Sequence, residues 1–118
     1  MDVFFVNEIR NHIYSAKVNA VIPWACIQRP SQWVGGDPNP GTAFRVNDSG
    51  SFRVEPGYYF YQQVCRAGQP MMSVCRVMSN DSEVGLIGFG SNGTKHPDAL
   101  VALNLSDQSK DLDIEVLT

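Results

Sequence analysis

The stretch Ser51-Phe-Arg-Val-Glu-Pro-Gly-Tyr-Tyr-Phe-Tyr-Gln-Gln-Val-Cys65 decides the predicted fold. A short strand ends just before the Pro56-Gly57 pair, which predicts a tight turn. A long strand, Tyr58 to Arg66, follows the turn, and its aromatic side chains alternate between the two faces of the strand. Large side chains on both faces predict a β-domain core in which each face is covered, at least in part.

The residues before and within this stretch predict a β-hairpin. Ala43 to Asn47 and Ser51 to Val54 are two short strands, and Asp48-Ser-Gly50 between them is a turn. Phenylalanine and valine alternate with arginine in both strands, so the apolar residues face one way and the arginines the other. The two faces are formed by Phe44, Val46, Phe52 and Val54, and by Arg45 and Arg53.

Short strands continue through the rest of the chain. The remaining ones are predicted at 14–22, 71–79, 84–89, 100–105 and 111–117. Turn signals separate the strands about every 8–12 residues, which is typical of a β-sandwich or a small barrel. The predicted fold class is all-β: a jelly-roll-like β-sandwich of about seven to nine short antiparallel strands.

The chain has 118 residues, which suffices for one domain with its own core. Residues 14–118 form the predicted β-sandwich domain, and residues 1–13 form an N-terminal arm. In the arm, Ile9 and Ile13 have helical spacing, whereas residues 3–6 alternate as in a strand. The sequence therefore does not decide between a helix and a strand for the arm.

The composition excludes several function classes. The net charge is −3, and the nine lysine and arginine residues are scattered along the chain. Because phosphate neutralisation needs clustered cations, nucleic acid is not an expected partner. No apolar run approaches the roughly 18 residues of a membrane-spanning helix, so no membrane association is expected. The N-terminal residues lack a basic region followed by a long apolar core, so no secretory signal is expected.

Candidate chemistry is sparse. His12 and His96 have no second ligand at a metal-binding spacing, so no metal site is predicted. Cys26, Cys65 and Cys75 form no CxxC motif; they are predicted to be reduced, buried thiols, with a Cys65–Cys75 pair across a hairpin as the alternative. The chain has no nucleophile elbow and no phosphate-binding loop with its lysine, so no catalytic residue, no cofactor and no enzymatic activity are predicted.

Two loops are candidates for contacts with a partner. Residues 28–42 are rich in proline and glycine and predict a long loop that contains Trp33. A large amphipathic ring normally packs against something, so either Trp33 plugs the core of its own domain or the loop contacts a partner. Residues 90–98 predict a second loop, in which His96 faces solvent or a neighbouring subunit.

Residues 41–60 resemble a known pattern. They are similar to the Phe-x-Val-x-x-Pro-Gly-x-Tyr-x-Phe signature of the trimeric jelly rolls of the tumour-necrosis-factor and complement type. Leu100 to Leu105, followed by Asp111 to Val116, resembles the late hairpin of that family. The resemblance implies a homotrimer that packs through aromatic faces.

The subunit interface that the resemblance implies contains Tyr59, Tyr61 and Phe89. Small jelly rolls of this kind also occur in bacteriophage virions, as capsid cement or decoration proteins and as spike or receptor-binding heads. The expected function is that of a non-enzymatic virion structural protein, a trimeric decoration protein that attaches to a major capsid or tail protein. The alternative is a head domain that binds a host receptor or a carbohydrate. The expected partner contacts are Phe4, Phe5, Trp33 and His96.

Overall fold

The computed structural model describes residues 3–23, 26–29 and 42–115. The elements in chain order are α1 (Val3–Asn11), a π-helical segment (His12–Ala16), β1 (Ile27–Gln28), β2 (Phe44–Val46), β3 (Phe52–Val54), α2 (Pro56–Ala67), β4 (Ser73–Cys75), β5 (Val84–Gly90) and β6 (Ala99–Asn104). The strands form two three-stranded sheets, with the orders β1-β2-β3 and β4-β5-β6. The fold is rich in β structure, as predicted, but the two helices make it a small mixed α/β fold.

The hairpin of β2 and β3 confirms the prediction from sequence. Phe44 pairs with Val54 and Val46 pairs with Phe52 in an antiparallel register. The turn between the strands places Gly50 at a φ of 83°, in the left-handed region that glycine enters without steric cost. β1 pairs with β2 in parallel, however, whereas only antiparallel pairing was predicted.

The long aromatic strand predicted at 58–66 is wrong, because these residues belong to α2. Pro56 occupies the start of the helix, where its missing N–H costs no hydrogen bond and its fixed φ suits helical geometry. Phe60, Val64 and Ala67 pack on the core, and their spacing of four and three residues is helical. The aromatic residues alternate along the sequence, but the residues that become buried repeat with the period of a helix.

The second sheet holds the core. Val84–Gly90 and Ala99–Asn104 confirm the two predicted strands at 84–89 and 100–105, while the strand predicted at 71–79 is limited to Ser73–Cys75. α1 and α2 contact each other and both contact β6. The buried apolar cluster between helices and sheet consists of Val6, Val64, Ile87, Phe89, Val101 and Leu103.

The N-terminal residues are part of this core. Of the two structures left open for the arm, the helix forms, and Val6 and Ile9 on α1 are buried. The strand predicted at 14–22 is wrong: it begins inside the π-helical segment, and residues 17–22 form no strand. Tyr14 instead links two strands, because its hydroxyl donates to the Cys75 carbonyl (2.8 Å) and accepts from the Gly88 N–H (3.0 Å).

The strand predicted at 111–117 does not form over 111–115, and its last two residues lie outside the described part of the chain. The described residues therefore contain six strands instead of the predicted seven to nine. None of the helices in the described ranges has the length and apolar content that a membrane crossing requires.

Candidate functional site

Four aromatic side chains meet where the β2–β3 hairpin joins α2. The ring of Phe44 lies 6.3 Å from that of Phe52, in an edge-to-face arrangement, and 5.2 Å from that of Tyr58. Tyr58 and Tyr59 have ring centroids 5.3 Å apart, again edge to face. These separations lie in the range in which aromatic pairs attract each other. We call this set of four residues the aromatic cluster.

The local fold builds the cluster from two directions. The strand register puts Phe44 and Phe52 on one face of the hairpin, in a diagonal relation. The peptide N–H of Glu55 donates to the Ala43 carbonyl (2.8 Å), so the chain turns into α2 next to the start of β2. The first turn of α2 then brings Tyr58 against Phe44.

The cluster is open to solvent at both ends. Phe52 is 67% exposed and Tyr59 is 56% exposed, whereas Phe44 and Tyr58 between them are half-buried. Phe52 and Tyr59 are joined through the two half-buried rings, and an exposed aromatic patch on a protein surface is a candidate place for a ligand or another protein to bind. The cluster is therefore the candidate functional site.

The same hairpin carries an ion-pair network, in which Arg45 and Arg53 lie on the face opposite to Phe44 and Phe52. Glu55 Oε1 accepts hydrogen bonds from Arg53 Nε (3.1 Å) and Arg53 Nη2 (2.7 Å). Arg45 Nε lies 3.1 Å from the same oxygen without the geometry of a hydrogen bond. Arg45 and Arg53 are directly paired across the two strands, where like charges repel, and Glu55 offsets this repulsion. The hydrogen bonds from Arg53, more than its charge and that of Arg45, hold the pKa of Glu55 below its ordinary value of 4.5, although partial burial opposes this.

This pKa shift predicts a pH-dependent contribution to stability. A carboxylate whose pKa is lower in the folded than in the unfolded state stabilises the fold above the unfolded pKa and loses that effect as the pH falls through the folded pKa. Glu55→Gln should therefore lower the free energy of unfolding at pH 7, and the difference from wild type should shrink below pH 4.5, the ordinary value for Glu55. Urea unfolding at several pH values between about 7 and 3 measures this difference.

The matched control for this experiment is Glu8→Gln, which removes one negative charge from an exposed position on α1. Asp81 also has a lowered pKa, because Lys110 donates a hydrogen bond to it. Its loss of stabilisation at low pH is the same in wild type and in both variants, so it cancels when their free energies of unfolding are compared. A difference between wild type and Glu55→Gln that stays constant down to pH 3 would contradict the assignment to Glu55.

The structure separates the three residues predicted for a subunit interface. Tyr59 is exposed and belongs to the aromatic cluster. Tyr61 is half-buried and its hydroxyl donates to the Val21 carbonyl (3.1 Å); burial raises the pKa of Tyr61, and the Cys65 thiol one turn away raises it further. Phe89 is 9% exposed, and its ring lies so close to Gly68 that a Cβ there would be 2.6 Å from the ring tip.

The residues predicted for partner contacts do not gather at the cluster either. On α1, Phe4 is exposed and Phe5 is half-buried. His96 is half-buried in the loop between β5 and β6, where its peptide N–H donates to Thr94 Oγ1 (3.2 Å). Trp33 lies outside the described residues. The sequence analysis placed Phe44 and Phe52 on one face of the hairpin, but it did not identify them as site residues, because the local pattern carries no signal that Phe52 stays exposed.

Metal and thiol chemistry find no support in the described residues. Within residues 3–23, 26–29 and 42–115, no three histidine, cysteine or acidic side chains gather as metal ligands. The alternative of a disulfide between Cys65 and Cys75 is not realised, because both thiols are free, as is that of Cys26. The prediction that the thiols are buried is wrong, since all three cysteines are exposed.

Comparisons of the sequence and the structure with known proteins assign no family to the chain. The chain matches no protein-family model, no curated protein and no solved structure.

Proposed function

We propose that this protein is a recognition module that binds carbohydrate at the aromatic cluster. The observation that carries the proposal is the pair of exposed rings, Phe52 and Tyr59, which pack edge to face against the half-buried rings of Phe44 and Tyr58. A ring fixed by its neighbours loses little conformational freedom on binding, which favours affinity. The proposal takes up the second of the two functions expected from sequence.

The chemistry of a sugar matches this surface. A pyranose ring presents an apolar face of C–H groups, which are slightly positive and pack against the negative face of an aromatic ring. Its hydroxyl groups need hydrogen-bonding partners at the edge of that contact. Polar groups within the cluster are the Tyr58 hydroxyl, which accepts a hydrogen bond from Gln62 Nε2 (3.4 Å), and the hydroxyl of Tyr59, an exposed residue.

The proposal predicts that the exposed rings contribute most of the affinity. Burying one large apolar side chain is worth about 1.5–3 kcal/mol, and the cluster rings are already partly covered, so Phe52→Ala and Tyr59→Ala should each weaken binding by roughly tenfold. A glycan array with the full chain identifies a ligand, and titration calorimetry with that glycan measures the dissociation constants of wild type and variants.

Phe4→Ala is the matched control, because Phe4 is an exposed aromatic residue on α1 that does not belong to the cluster. This variant should bind the glycan as wild type does. An array without hits, or an equal loss in all three variants, would remove the carbohydrate proposal.

The trimeric, jelly-roll-like capsid-decoration role is the second candidate. Its support is the exposure of Tyr59, which leaves this residue accessible to a sister subunit. The Pro56-Gly57 part of the signature lies in a helix, so the aromatic face would be presented by the first turns of α2 and not by a strand. Sedimentation of the full chain at micromolar concentration should show a trimer that Tyr59→Ala dissociates. A monomer would remove this candidate and leave the carbohydrate proposal intact.

A further inference from the structure

The outer edge of the second sheet, formed by β6, is unlike the other sheet edges of this protein. β6 has six residues, Ala99–Asn104, and none of them is charged or a proline. The strands at the other sheet edges, β1, β3 and β4, have two or three residues each. Sheet edges in natural proteins are usually short, or they carry charged residues or prolines that prevent pairing with another chain. β6 therefore offers the longest edge in the described part of the chain, without these protective features.

Every second residue of β6 turns its peptide group away from β5. The N–H of Leu105 donates to the Glu83 carbonyl (2.8 Å), which fixes the alternation of the β5–β6 ladder. Val101 and Leu103 then bond to β5, whereas the even-numbered residues face the free edge. The outward-facing residues are Leu100, Ala102 and Asn104. All three are exposed, and in the segments that the structure describes none of their peptide N–H or C=O groups has a hydrogen-bond partner.

A second copy of β6 fits this edge. When two β6 strands run antiparallel about a two-fold axis at Ala102, Ala102 lies opposite its own copy, and Leu100 lies opposite Asn104 of the other copy. All the outward-facing peptide groups of β6 then exchange hydrogen bonds across the seam. Such a contact uses the same surface of both copies, as the interfaces of two-fold dimers do.

The charges of the edge also favour pairing with a second copy. β6 carries no charged side chain, so two copies meet in this register without like charges opposite each other. The corresponding pairing of β3 about its central residue would place Arg53 opposite Arg53 of the other copy. Across the β6 seam, the buried residues Val101 and Leu103 lie opposite each other. The apolar inner face of the sheet therefore continues from one copy to the next.

We propose that β6 is a dimerisation strand, and that two copies of this chain pair β6 with β6 to form one continuous sheet. The partner is a second copy because the edge complements itself in hydrogen bonding and in charge. The proposal is independent of the ligand of the aromatic cluster, because that cluster is built by the β2–β3 hairpin and the first turn of α2. Dimerisation and carbohydrate binding can therefore be tested separately.

Sedimentation of the full chain over a range of micromolar concentrations should show an equilibrium between monomer and dimer. Hydrogen exchange followed by NMR locates the seam, because the outward N–H of Ala102 should exchange more slowly as the concentration of dimer rises. The N–H of Val74, which faces outward on the opposite edge strand β4, should exchange at an unchanged rate. A monomer at all concentrations, a trimer, or an Ala102 N–H without added protection in the dimer would overturn the proposal.

Ala102→Pro removes the central N–H donor from both copies, so it should raise the dissociation constant of the dimer by roughly tenfold or more. Proline is tolerated on an edge strand where the N–H that it replaces faces outward, so the variant should remain folded, as circular dichroism would show. A folded Ala102→Pro variant that dimerises as tightly as wild type would contradict pairing through β6.

A pair of charge variants tests the register and stays informative if Ala102→Pro does not fold. Ala102→Lys and Ala102→Glu each place like charges opposite each other across the axis and should weaken the dimer several-fold. An equimolar mixture of the two variants should restore dimerisation, since opposite charges then face each other. Ser73→Lys, at an exposed position on β4, is the matched control and should dimerise as wild type does. A mixture that dimerises no better than either variant alone, or a loss in Ser73→Lys, would overturn the assignment to β6.

Discussion

Val6→Asp is expected to lower the free energy of unfolding by about 3–5 kcal/mol, because it places an uncompensated charge in the core. Val6 is 0% exposed and belongs to the buried cluster between the helices and the second sheet. A typical domain has a total stability of about 5–15 kcal/mol, so this variant should be marginally folded or unfolded. Urea or thermal unfolding followed by circular dichroism measures the effect.

The same substitution at Phe4 is the matched control. Phe4 lies on the same helix, two residues away, but is 64% exposed, so Phe4→Asp should change stability by no more than about 0.5 kcal/mol. The pair of variants also tests the predicted N-terminal arm directly. If residues 1–13 were a free arm, both variants would be harmless; equal stability of Val6→Asp and wild type would therefore contradict the packing of α1.

Ile87→Ala is expected to destabilise the protein by about 2–5 kcal/mol, the sum of lost apolar burial and the cavity left behind. Ile87 is 0% exposed at the centre of β5, and it pairs with Val101 on β6. Chemical denaturation should show a lower midpoint with an unchanged slope, since the surface exposed on unfolding stays nearly the same.

Leu100→Ala serves for comparison, because Leu100 lies on β6 but on the opposite face of the sheet and is partly exposed. Removing it should cost about 1 kcal/mol or less. A cost at Leu100 equal to that at Ile87 would mean that the outer face of the sheet is as well covered as the inner face, which this fold does not show.

The sequence predicted the hairpin and the two core strands because local chemistry suffices there. Asp48-Ser-Gly50 supplies a residue that enters the left-handed region, and the residues on either side alternate between apolar and charged. β5 and β6 are apolar runs bounded by polar turns. In these places turn chemistry and side-chain period agree, so one structure is favoured without distant contacts.

At three other places, the alternation of side chains led to a strand prediction that was wrong. Residues 14–22, 58–66 and 111–115 all have a period of two, but none of them is a strand. A strand needs a neighbour for its backbone hydrogen bonds, and the pattern carries no information on whether one is available. At 58–66 the proline at the start of the helix was the local signal that could have corrected the prediction.

The candidate sites depend on contacts between distant parts of the chain. Tyr59 was singled out from sequence, but the other rings of the aromatic cluster come from Tyr58 on its own helix and, through Tyr58, from Phe44 and Phe52 on the β2–β3 hairpin. Arg10 on α1 likewise donates a hydrogen bond to the carbonyl of Leu86, more than seventy positions later in the chain. Sequence reasoning had no means to join these segments, because nothing in the local pattern specifies which helix covers which sheet.

By itself, the sequence determined that the chain is rich in β structure, that residues 43–54 form a hairpin with its phenylalanines and valines on one face, and that two late apolar segments form strands. The tertiary structure decided that residues 56–67 are helical, that the N-terminal residues belong to the core, and that Phe52 and Tyr59 remain exposed. The physical reason is that turn residues and the period of apolar side chains specify structure over only a few residues. Burial depends instead on which helix and sheet surfaces pack against each other in the folded chain. The stretch from Ser51 to Cys65 shows both effects. Its first residues form the strand that their local pattern predicts, whereas its later residues form a helix that packs on the core.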